Sequence, residues 1–139
     1  SVSLMSLGIG AFCKLIAQDD ATAIYEYGSY NLDDPNNKNK DRIADGMITI
    51  KKSSLIEPDI HDKIKRLPNG KKKRIIKQVP NDIPLANLFN SKSIIVENCS
   101  HCWKINDVGI DVMACSTVWK IFMEYQEKGC LPEHLSINK

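Results

Sequence analysis

The sequence predicts an α+β domain: an antiparallel sheet of four to five strands packed against one long C-terminal amphipathic helix, with one or two short helices in the middle. Three observations lead there. Residues 110–129, IDVMACSTVWKIFMEYQEKG, repeat apolar side chains at helical spacing. Strand-like runs cluster ahead of that segment instead of alternating with helices of similar length, which argues against a doubly wound parallel sheet. The chain has 139 residues, enough for one core and too few for two, so residues 1–139 are read as a single globular domain.

The helix is justified by its faces. At about 100° per residue, Ala114, Cys115, Val118, Ile121, Phe122 and Tyr125 share one side, while Ser116, Lys120, Glu124 and Glu127 lie opposite. Val112, Trp119 and Met123 flank the apolar stripe, and burial is expected to widen in their direction. Asp107 or Asp111 can cap the start, and Gly129 with Pro132 soon after marks the end.

Ahead of it, residues 12–18 and 22–27 are β-rich runs joined by a short polar turn, which predicts a hairpin with Ala23, Tyr25 and Tyr27 on one face. Residues 31–42, NLDDPNNKNKDR, have the composition of an exposed loop. The N-x-N-x-D spacing from Asn37 suggests a calcium loop but fails, because Arg42 stands where glycine must make the sharp turn. Residues 47–52 alternate as a third strand. Pro58 opens an expected short helix with Ile60, Ile64 and Leu67 at i, i+4 and i+7, ended by Pro68-Asn69-Gly70. Residues 71–79 read as a fourth strand, 82–90 as a single helical turn with Ile83, Leu85, Leu88 and Phe89 inward, and 93–96 as a fifth strand.

Composition narrows function only a little. Apolar residues at 42%, charged residues at 26% and a net charge of +2 fit an enzyme or a binding module equally. No apolar run reaches the roughly 18 residues of a membrane span. Residues 1–12 lack a basic leader and a small-residue cleavage site, so no export signal is read. Five cysteines, with Cys13 and Cys115 in apolar patterns, suit a reducing compartment, and the cytoplasm is the expected location.

Chemistry has three places to reside. Cys99 and Cys102 form a C-x-x-C pair, and Cys130 with His134 would complete a four-ligand zinc set of suitable atom types. The intervening 27 residues contain the whole long helix, which strains that arrangement. A thiol-redox role would need the first cysteine at a helix N-terminus, and residues 104–109 intervene. His101 gives the only thiol–imidazole neighbourhood. Two small thiols packed in a turn beside Trp103 are the plainer reading.

The second place is a basic run. Residues 63–77 hold eight Lys or Arg and no Asp or Glu, which leaves −6 on the remainder against the total of +2. Such a run serves an acidic protein surface or the phosphates of nucleic acid, and without an interleaved aromatic it lacks a base-stacking platform. The third place, an enzymatic constellation, does not assemble: no nucleophile elbow, zinc-protease, P-loop or dinucleotide pattern occurs. The expectation is a cytoplasmic, non-enzymatic protein-interaction domain that meets its partner through Lys71, Lys72, Lys73 and Arg74. The alternatives are a zinc-binding or thiol-redox protein using Cys99 and Cys102, and a nucleic-acid-binding protein using the 63–77 segment. Zinc is the one cofactor entertained.

Overall fold

The computed structural model describes residues 8–139. The reading of an absent export signal falls mainly on residues 1–7, outside the described residues. The hairpin forms and is longer than its apolar pattern implied: β1 (Ile9–Gln18) pairs antiparallel with β2 (Thr22–Asn31). Asp19 tightens the turn, its Oδ1 accepting the Ala21 and Thr22 N–H groups at 2.8 Å. β3 (Gly46–Lys51) follows, and a 3-10 turn at Lys52–Ser54 leads into a separate two-stranded ribbon, β4 (Asp59–Arg66) with β5 (Lys72–Val79). After the short helix α1 (Leu85–Asn90) come β6 (Ile94–Glu97), the long helix α2 (Val112–Lys128) and β7 (His134–Asn138). The main sheet is antiparallel throughout, in the order β6-β3-β2-β1-β7.

Alternation along the strands sends one side chain in two to the core. Ala23, Tyr25 and Tyr27 of β2 sit beside Ile48 and Ile50 of β3 and Ile94 of β6, all at most 1% exposed. α2 covers this face with Ala114, Val118, Ile121 and Phe122, all fully buried. Ile83, Leu85, Leu88 and Phe89 pack against the same cluster, so the short helix closes its flank. Both helix ends carry the expected signals: Asp111 accepts the Met113 N–H at 2.9 Å, and Gly129 takes the left-handed conformation at φ 75°. Burial on α2 widens to both sides, to Met113 and Thr117 on one and to Gln126 with the half-buried Val112 and Met123 on the expected other, while Trp119 remains 46% exposed.

The 31–42 loop is anchored, contrary to a purely solvated reading. Asn39, only 4% exposed, donates through Nδ2 to the carbonyls of Ser29 and Ile43 and accepts the Ile43 N–H. Arg42 lays its guanidinium 4.4 Å from the centroid of the Tyr30 ring, a cation–π contact. Gly28 permits this crossing, because a Cβ there would overlap the Ile43 carbonyl oxygen.

The larger correction concerns residues 58–67, where the helix suggested by Ile60, Ile64 and Leu67 is absent and β4 stands instead. Ile60, Asp62 and Ile64 also alternate with period two, and ladder pairing to β5 across the Gly70 turn decides between the two periods. β7 has no counterpart among the strands that the sequence predicts.

Because α2 supplies the lid of the only large apolar cluster among the described residues, Phe122→Ala should cost about 3–5 kcal/mol. Lys120→Ala, on the solvent side, should stay within about 0.5 kcal/mol. Urea melts of the two variants check this, and equal losses would contradict the seating of α2.

Candidate functional site

The Cys99–Cys102 turn is built around a buried carboxyl. Asp111 is fully buried; its Oδ2 accepts from the Tyr27 hydroxyl at 2.9 Å and from Cys99 Sγ at 3.7 Å. The Tyr27 oxygen in turn accepts the Cys99 N–H at 3.0 Å, and the Ser29 hydroxyl lies 3.3 Å from Cys99 Sγ. Asn98 accepts the Asp111 N–H, and Asp45 accepts the Ser100 N–H, so the turn is fixed from both sides. Burial raises the Tyr27 hydroxyl, with the Asp111 charge adding to it, and burial also raises the Cys99 thiol. Both groups therefore stay protonated at neutral pH and serve as donors.

This chemistry is that of a structural node. Burial pushes the Cys102 thiol up to about 11 and Cys13 up to about 12, far from the depressed values of reactive thiols. His101 has its Nδ1 buried without a hydrogen-bond partner, so that atom engages neither neighbouring thiol. Cys130 sits just past α2 and His134 opens β7, whereas Cys99 and Cys102 precede α2, whose 17 residues span roughly 25 Å. No cluster of three or more His, Cys, Asp or Glu residues arranged to hold a metal occurs among the described residues. All five cysteines are free thiols.

The basic run has a definite shape. β4 and β5 form a ribbon of eight residues a strand, roughly 27 Å long, in which fifteen of the sixteen residues are exposed. Register sorts its side chains. One face carries His61, Lys63, Lys65, Lys73 and Lys77 around Ile75, with Asp59 only at the root. The other carries Ile60, Ile64 and Ile76, exposed by 57%, 72% and 61%, together with Asp62 and Arg74. Arg74 grips Asp62 through two nitrogens, Nε to Oδ1 at 3.0 Å and an Nη to Oδ2 at 2.5 Å. The four expected contact residues thus divide: Lys71 and Lys73 share the parity of the lysine face, while Lys72 and Arg74 lie on the isoleucine face with Arg74 already paired.

That pair also gives the ribbon a pH dependence. The Arg74 hydrogen bond lowers the Asp62 pKa, so its stabilising effect is present above the ordinary aspartate range and is lost as pH falls through the lowered value.

The root is clamped to the body. Gln126 of α2, 2% exposed, accepts the Asn81 N–H at 2.7 Å and donates to the Asn81 carbonyl at 2.7 Å, as a neighbouring strand would. Asn81 reaches the Glu57 carbonyl at 2.9 Å, and the Tyr125 hydroxyl donates to the Glu57 carboxylate at 2.6 Å. Both feet of the ribbon are therefore tied to the last turns of α2. Sequence reasoning missed Gln126 and Asn81, since amide clamps carry no periodic signal.

Alkylation of the native protein at neutral pH should modify the exposed Cys130 first and leave Cys13 and Cys99 until denaturant is added, as peptide mass mapping would show. Early labelling of Cys99 would contradict the node described above.

No protein-family model, curated protein or solved structure matches the chain, so its functional reading rests on the ribbon, the node and their chemistry.

Proposed function

We propose that the chain is a non-enzymatic protein-interaction domain whose contact element is the β4–β5 ribbon, its lysine face taking an acidic protein surface. The observation that carries this reading is the exposure of both ribbon faces on a root hydrogen-bonded to α2. An isolated two-stranded hairpin is marginally stable in water. Ile60, Ile64 and Ile76, left in solvent on the reverse face, are accounted for by a partner that wraps the ribbon and covers that face as well. The five free thiols fit a reducing compartment such as the cytoplasm. No helix is long and apolar enough to cross a membrane among the described residues.

Nucleic acid is the second reading, favoured by one observation: a two-stranded ribbon fits the major groove of duplex DNA, and Lys63, Lys65, Lys73 and Lys77 on one face would meet phosphates. Two features favour protein over it. The residues outside 63–77 carry −6, which repels a polyanion, and the isoleucine face offers apolar area that phosphates do not reward.

Reversing Lys63 and Lys73 to Glu should slow association with the natural partner and leave the melting temperature nearly unchanged, because both side chains are exposed. Affinity capture from a native lysate with wild type and the double variant, with and without nuclease, provides the measurement. Identical recovery by both baits overturns the proposal, and recovery abolished by nuclease transfers it to nucleic acid. In that case affinity should fall with salt at a log–log slope of about −0.9 per neutralised phosphate on duplex DNA.

A further inference from the structure

β7 forms one margin of the main sheet and, among the described residues, pairs only with β1. The Lys139 N–H donates to the Ile9 carbonyl and the Leu15 N–H to the Glu133 carbonyl, with Ala11 opposite Ile137 and Cys13 opposite Leu135. The odd-numbered residues of this segment therefore direct their backbone groups toward β1. By the alternation of an antiparallel ladder, His134, Ser136 and Asn138 direct theirs to the open margin. Residues 134–138 contain no proline, lysine or bulge of the kind that discourages edge pairing.

The sequence of this margin is complementary to itself. Set antiparallel against an identical strand with Ser136 opposite Ser136 of the second copy, it places His134 opposite Asn138, Leu135 opposite Ile137, and Glu133 opposite Lys139. Polar groups meet polar groups, apolar meet apolar, and opposite charges meet twice. Sliding the register by two residues either way sets Glu133 against Ile137 or Leu135 against Lys139, so one register alone satisfies every pair. Leu135, packed against the core cluster, and Ile137, lining a groove with residues of α2, lie on the helix-covered face, half-buried in one chain. That groove of about 690 Å³ adjoins the same margin, lined by Val112, Cys115 and Trp119 of α2 and by Ile137 and Asn138. An added strand would bring its own Leu135 and Ile137 to that face.

We propose that β7 pairs antiparallel with β7 of a second copy of this chain about a two-fold axis at Ser136, joining two five-stranded sheets into one of ten strands. The contact is isologous, the commonest closed arrangement.

Sedimentation equilibrium over a wide concentration range tests it, with an expected limiting mass twice the 15.6 kDa of one chain. Ser136→Pro removes an outward N–H, which an edge strand tolerates, and should give a monomer with unchanged circular dichroism. Should that variant fail to fold, charge decides. Glu133→Lys and Lys139→Glu should each weaken the dimer, and the two together should restore it. A monomer at every concentration, or a dimer indifferent to all these variants, overturns the proposal.

Discussion

The hydrogen bonds of Asp111 hold three parts of the chain in one place. One carboxyl oxygen caps α2 through the Met113 N–H, the other accepts from Tyr27 at the middle of the sheet, and the backbone N–H of the same residue binds Asn98. A helix cap on a surface contributes about 1 kcal/mol. Here the cap is fully buried and shares its oxygens with a tyrosine and a thiol, so removing it would leave several donors unsatisfied at once. The position of α2 over the sheet follows from this node at its start and from apolar packing along its length. The Tyr125 and Gln126 contacts that hold the ribbon lie four turns further on. The ribbon's root is thus held through the helix by a residue about 22 Å away.

The ribbon is the inverse of the rest of the fold. In the main sheet, alternation divides each strand into a core face and a face that meets solvent or the 31–42 loop. In β4 and β5 the same alternation gathers four of the lysines on one face and three of the four isoleucines on the other, and neither side has a core to bury into. Lys65 stands directly opposite Lys73, a pairing that disfavours the ladder, and the Asp62–Arg74 pair on the reverse face opposes it only weakly because both groups are exposed. Local energetics do not account for such an element. Attachment at Asn81 holds it in place, and the proposed partner would cover its exposed surface.

Much of this was legible in the sequence, and the failures share a cause. α2, its Asp111 and Gly129 caps, the first hairpin and β3 all announce themselves through periodicity and local turn chemistry, which are properties of short windows. Ile60, Ile64 and Leu67 satisfy two periods at once, and only the facing residues Gln78, Arg74 and their neighbours choose between them. β7 offers just Leu135 and Ile137 as its pattern, too little to stand out until β1 lies beside it. The Tyr27–Asp111 contact joins positions 84 residues apart, and no window spans that. The basic run was visible as composition, but its partition into two faces needed the register.

The location of the two proposed surfaces follows from the same constraint. Tyr25, Tyr27, Phe122, Ile48, Ile50 and Ile94 are at most 1% exposed, so a change there is felt as lost packing. Groups that meet another molecule must therefore lie where the fold does not depend on them: on a ribbon whose strands add nothing to the core, and on the outward half of a marginal strand whose inward half is already paired. In both places backbone geometry is set by contacts elsewhere, Gln126 in one and β1 in the other, while the outward side chains remain free to vary. Substitutions at Lys63, Lys73 or Glu133 can then alter recognition without passing through stability, and that separation is what an interaction domain requires.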